Sequence, residues 1–220
     1  MPERPVGRLT ISALAVAFAA YFLILSALQP ARAAVDIQEV KSDGGITAWL
    51  VEDYTIPLIA IRFSFEGGTT QDPAGKEGLV NLMSGLFDEG AGDLDSDAFQ
   101  LALDDAGAEM RFGAGPDAMS GAMRMLSDKR DEALHLLNLA INQPRFDQAP
   151  IDRIRSQVIA GIAARARDPE RMAGIAFAKA LYGDHPYGRR AEGTPETLAT
   201  VTADDLRAVH KRIFARDNLD

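Results

Sequence analysis

Residues 57–90 read PLIAIRFSFEGGTTQDPAGKEGLVNLMSGLFDEG, and two hydrophobic periods meet inside them. Leu58, Ile59, Ile61, Phe63 and Phe65 follow the near-alternation of a strand with one face on a core, and Gly67-Gly68 ends the run. Leu79, Leu82, Met83, Leu86 and Phe87 then recur at helical spacing. That spacing predicts a helix over 76–89, stopped by Gly90 and Gly92.

Outward towards the C-terminus, Asp95-Ser96 caps a second predicted helix through Ala106, with Phe99, Leu101 and Leu103 among its apolar residues. Strands follow at Glu109 to Ala114 and Ala118 to Met125, joined by the tight turn Gly115-Pro116-Asp117. Ser127-Asp128 is expected to cap the next helix, which ends near Pro144. Further helices start at Pro150, Pro169 and Thr202 and run to about Ala166, Tyr182 and Phe214. Outward towards the N-terminus, Ile46 to Val51 is β-rich. The order is three strands, two helices, two strands and a run of helices. This predicts an α+β fold, a mostly antiparallel sheet packed against a layer of helices. No closing strand follows the last helix, so the chain reads as cut short at Asn218-Leu219-Asp220.

Bulk composition sets the outer bounds. The 220 residues suffice for one large domain or two small ones, and 47% are hydrophobic, enough for a sizeable core. A net charge of −9, with no stripe of Lys and Arg, argues against nucleic-acid binding. The absence of cysteine excludes disulfides, thiolate metal sites and thiol nucleophiles.

Residues 1–33 stand apart from the fold. Arg4 and Arg8 precede an apolar run from Leu9 to Leu28, followed by Gln29, Pro30 and Ala31-Arg32-Ala33. A positive start, an apolar centre and a small-x-small site have the layout of a secretory signal peptide, leaving 34–220 as the mature domain. Cleavage after Ala33 removes three Arg and one Glu, taking the net charge from −9 to −11. An uncleaved membrane anchor is the alternative. Both place the domain outside the cytoplasm, in the periplasm as the first expectation.

Gly67-Gly68-Thr69, Asp72-Pro73 and Gly75-Lys76-Glu77-Gly78-Leu79, with the helix to Phe87, resemble the pitrilysin/insulinase family of zinc peptidases. Pro144-Arg145-Phe146-Asp147, His185-Pro186-Tyr187-Gly188, Thr194-Pro195 and Asp217-Asn218-Leu219 are similar to later landmarks of that family, in the same order. In the family the helix after Gly-Leu carries H-x-x-E-H: two His grip zinc from one face and the Glu activates water. A second Glu on a later helix completes the site. At those places this chain has Asn81, Ser84 and Gly85, and Gly161 at the distal position. The resemblance therefore implies the N-terminal domain of a degenerate member, with no catalytic residue and no metal of its own. Zinc is expected on a partner subunit of the same family.

No other constellation replaces the lost one. His135, His185 and His210 are far apart and read as surface or capping histidines. Asp88-Glu89, Asp104-Asp105 and Asp204-Asp205 read as solvated helix ends or faces. Neither a nucleophile elbow nor a phosphate-binding glycine loop is present. By the resemblance, the strand Glu109 to Ala114 is similar to the one that pairs with a substrate backbone at a sheet edge, making Met110, Arg111 and Phe112 candidate substrate-binding residues. Ordinary strand packing is the competing reading of these three. The leading expectation is a non-catalytic subunit or half of an exported zinc peptidase complex, forming part of a peptide-binding chamber. The rivals are a scaffold or binding protein of the same fold without a peptidase partner, and an active peptidase using unrecognised residues.

Overall fold

The computed structural model describes residue 16, residues 18–21 and residues 36–219. The signal-peptide reading of 1–33 therefore lies, but for the helical residues 16 and 18–21, outside the described residues. Among the described residues no helix is long and apolar enough to cross a membrane.

The chain divides into two compact units, Met1–Asp53 and Tyr54–Asp220. The first contains an antiparallel hairpin of β1 (Ile37–Lys41) and β2 (Thr47–Val51), paired from Ile37 opposite Val51 to Lys41 opposite Thr47. Ser42 closes its turn: the Ile46 N–H donates to Ser42 Oγ at 3.0 Å, and the Ser42 N–H to the Ile46 carbonyl at 2.9 Å.

In the second unit β3 (Leu58–Glu66), β4 (Glu109–Ala114) and β5 (Ala118–Leu126) form an antiparallel sheet in the order β3-β5-β4. Seven helices follow the order expected of an α+β chain. They are α1 (Leu79–Ser84), α2 (Ser96–Asp105), α3 (Arg130–Asn142), α4 (Gln148–Ala164), α5 (Pro169–Tyr182), α6 (Pro195–Ala199) and α7 (Ala203–Ile213). The alternation along β5 buries Met119, Gly121, Met123 and Met125 and leaves Ser120 and Arg124 exposed. Two apolar clusters lie on the buried face. One joins Phe65 and Met119 to α1, α4, α6 and α7; the other joins Met110, Met123 and Met125 to α2 and α3. Gly121, opposite both Phe63 and Phe112, is required there: a Cβ would stand 2.2 Å from the Phe63 ring, which lies across the glycine.

Several caps are where the residue types place them. Asp95 accepts from the Ala98 N–H at 3.0 Å, and Thr202 forms a capping box with Asp205, which also pairs with Lys76. Three expectations need correction. The helix predicted over 76–89 is only α1, because Gly78 turns the chain in the left-handed region before it and Gly85 caps it. Residues 85–90 leave the helix, so Glu89 lies in a turn beyond its end. The Ser127-Asp128 pair makes a single 3-10 turn, with Lys129 as the α3 N-cap and no side-chain cap bond. Finally α4 starts two residues before Pro150, at Gln148, which places the proline within the first turn, where a missing N–H costs no hydrogen bond.

Candidate functional site

The predicted site residues are positioned by α1 and α4. The first-turn N–H groups of α1 have a ready acceptor: Asp72 Oδ2 takes the Gly78 N–H at 2.8 Å and Oδ1 the Val80 N–H at 3.0 Å. Burial pushes the Asp72 carboxyl up to about 6, against the pull of these hydrogen bonds. Leu79, Val80, Leu82 and Met83 are buried, so the remaining face of α1, with Asn81, Ser84 and the capping Gly85, is left half-buried. Ser84 Oγ spends its hydrogen on the Asn81 carbonyl at 2.7 Å.

On α4, Ile154, Gln157, Gly161 and Arg165 recur at intervals of three and four, one stripe of the helix. Ile154 packs on α1 so closely that a Cβ on Gly85 would lie 3.0 Å from its Cγ2. The absent side chain of Gly85 is thus part of how α1 and α4 pack. A Cβ on Gly161 would meet the Arg165 guanidinium at 3.5 Å, so a cation lies beside the distal position.

A cleft of about 400 Å³ brings two of the predicted groups together. Ser84 and Gly85 meet Met110, Arg111 and Phe112 of edge strand β4, with Arg153 and Gln157 of α4 completing the wall. Asn81 lines a different cleft, and Gly161 lines neither. The three β4 residues are not equivalent. Met110 is buried in the core, and Phe112 stacks on Phe87 with centroids 4.2 Å apart. Arg111 faces solvent, 79% exposed, and pairs with Glu109. Arg124 and Arg111 together hold the Glu109 carboxyl below its usual range.

Sequence reasoning missed the acid at the floor of this cleft. Glu89, read as part of a solvated helix end, is 8% exposed. Both its oxygens accept from Arg153, one at 3.0 Å, and Ser96 Oγ donates to it at 2.6 Å. Burial pushes up the carboxyl of its neighbour Asp88. The reading of Asp88-Glu89 is corrected accordingly: Glu89 lies in the turn after α1, and its burial is compatible with its charge because Arg153 of α4 pairs with it.

The histidines stay apart. His135 is exposed on α3, and His185 Nδ1 accepts from the Tyr187 N–H at 3.2 Å, a capping role. His210 is neither surface nor cap. Its Nε2 lies 2.8 Å from the Ile141 carbonyl, and its ring packs among Phe87, Phe146 and Phe214, where burial lowers its pKa. Among the described residues no three His, Asp or Glu side chains converge as a metal site would require. Asn and Ser are poor zinc ligands and Gly has no donor, so the residues at 81, 84, 85 and 161 do not suit the metal of the family they resemble.

No protein-family model matches the chain. The non-peptidase homolog YmxG of Helicobacter pylori is 22% identical over 168 residues, covering 76% of this chain and 39% of that protein. The peptidase M16 inactive domain from Pseudomonas fluorescens superposes with a TM-score of 0.77 at 28% identity, covering 84% of this chain and 45% of that one. Pitrilysin shares the fold, with a TM-score of 0.72 at 22% identity over 86% of this chain and 21% of its own. The chain spans less than half the length of each of these relatives. The α+β architecture, the order of landmarks and the residues at 81, 84, 85 and 161 together make the chain similar to degenerate, non-peptidase members of the pitrilysin/insulinase family.

Proposed function

We propose that this chain is a non-catalytic subunit, or half, of an exported zinc peptidase assembly, and that its α1–β4 cleft forms part of a peptide-binding wall. The observation carrying this is the cleft itself. It sets the Ser84–Gly85 end of α1 against an edge strand whose outward arginine is solvent-exposed, so an extended peptide has an unpaired strand edge to join. The non-peptidase and inactive-domain relatives support the absence of chemistry on this side. Zinc and the catalytic Glu then belong to a partner subunit of the same family, and the periplasm is the proposed location.

Native mass spectrometry of the tagged full chain, isolated from its exported compartment, tests the assembly. A complex with a zinc-loaded chain, and no zinc on this one after dissociation, is the expected result. Zinc retained by this chain alone overturns the proposal, as does a metal-free self-assembly.

A further inference from the structure

The cleft that holds Asn81 differs from the α1–β4 cleft in charge. It measures about 380 Å³ and is lined by Asn81, Arg171 and Ile175 of α5, and Arg189, Arg190 and Glu192 of the following loop. A smaller cleft of about 180 Å³ shares Arg171, Ile175, Arg190 and Glu192 and adds Arg165. Across the two clefts four guanidinium groups surround one carboxylate, three of them (Arg171, Arg189 and Arg190) lining the cleft with Asn81, in a chain whose net charge is −9. Glu192 is committed to Arg171 and, at 3.4 Å, to Arg165. Arg189 Nη1 donates to the Asp72 carbonyl at 3.2 Å. Arg190 is exposed and acts at a distance on Glu196, whose carboxyl it helps to hold down after the Thr194 hydroxyl.

A concave site with a local excess of Arg concentrates anions, because low-dielectric walls focus the field. The planar guanidinium fork matches the two oxygens of a carboxylate. Two features narrow the anion. Ile175 and Ala178 give the cleft an apolar wall, which a bare inorganic anion leaves unused. The Asn81 side chain offers both a donor and an acceptor, the pair that a peptide unit complements. We infer that this cleft binds the free C-terminal carboxylate of a peptide ending in a small apolar residue, with Arg190 as the main cation and Ile175 against the last side chain. This rests on the peptide-binding reading above and adds which end of the peptide is held, and by what.

The test is fluorescence anisotropy on the full chain with N-terminally labelled hexapeptides ending in alanine. One has a free carboxylate, one a C-terminal amide, and one an internal aspartate with a C-terminal amide. The free carboxylate is expected to bind about tenfold more tightly than either amide, the scale of one charge-assisted contact. Arg190→Gln, checked by thermal melt, is expected to abolish that preference, whereas Arg111→Ala weakens all three peptides and keeps it. N-acetylalanine is expected to compete better than inorganic phosphate. Equal binding of acid and amide, with Arg111→Ala still weakening both, overturns the carboxylate inference and leaves the α1–β4 reading standing. So does a preference that survives Arg190→Gln, equally tight binding of the internal aspartate, or phosphate competing as well as N-acetylalanine. No binding of any peptide overturns both readings.

Discussion

Asn81, Ser84 and Gly85 share one helix face by their spacing alone, and α1 leaves that face half-buried. Their chemistry was legible because a donor is either present in the residue type or absent. What surrounds them was not legible: the 3.0 Å approach of Ile154 to a Cβ on Gly85 joins positions far apart in the chain. Met110, Arg111 and Phe112 show the same limit, since strand periodicity separates their faces but does not say what each face meets. Phe112→Ala is expected to cost about 3 kcal/mol, through its stack on Phe87, in a chemical denaturation experiment. Arg111→Ala is expected to change stability by less than about 0.5 kcal/mol while lowering turnover of the proposed assembly, so Arg111 is the informative probe of peptide binding. Asp72 supplies a pH prediction. Its folded pKa of about 6 exceeds the ordinary 3.8 of an aspartate, so the folded state takes up the proton first as pH falls. Its contribution to stability therefore increases from pH 7 towards pH 4, by at most about 3 kcal/mol. His210, with its pKa lowered by burial, works in the opposite direction, losing stability as pH falls below its ordinary value. Comparing denaturation of the wild type and Asp72→Asn across this range isolates the first effect; parallel pH profiles for the two proteins contradict it.

Elements formed where local rules were strong and shifted where they competed. The capping boxes at Thr194 and Thr202, Asp95 at the start of α2 and the turn at Gly115-Pro116-Asp117 depend on residues within one turn of each other. The helix predicted over 76–89 was overlong because Leu86 and Phe87 keep the helical period after the helix has ended. They are buried by the sheet and the helices around them, from a turn. That turn delivers Glu89 to Arg153, an ion pair joining the segment after α1 to α4. Removing one partner is expected to be worse than removing both. Arg153→Met, which strands a buried carboxylate, should cost about 2–3 kcal/mol, and the Arg153→Met/Glu89→Gln double variant appreciably less. Equal losses in the single and double variants, measured by urea denaturation, contradict an energetic role for the pair.

For the whole molecule, the assignment of the three lost zinc-ligand positions is testable by restoring them. Asn81→His, Gly85→His and Gly161→Glu are combined with Ile154→Ala to clear the close approach and Arg165→Ala to remove the neighbouring cation. This variant is expected to carry about one zinc per chain by metal analysis of gel-filtered protein. A folded variant without zinc contradicts the assignment. By itself the sequence determined the succession of strands and helices, their principal caps and turns, and the lack of metal-binding side chains where the family has them. Those features depend on residue type and on neighbours within a turn or two. Only the tertiary structure decided that Ser84 and Gly85 share a cleft with β4, that Glu89 is buried against Arg153, and that three arginines gather beside Asn81. Each of these joins residues tens of positions apart. Their meeting is set by the packing of α1, α4 and α5 with the sheet and loops, to which periodicity and propensity are blind.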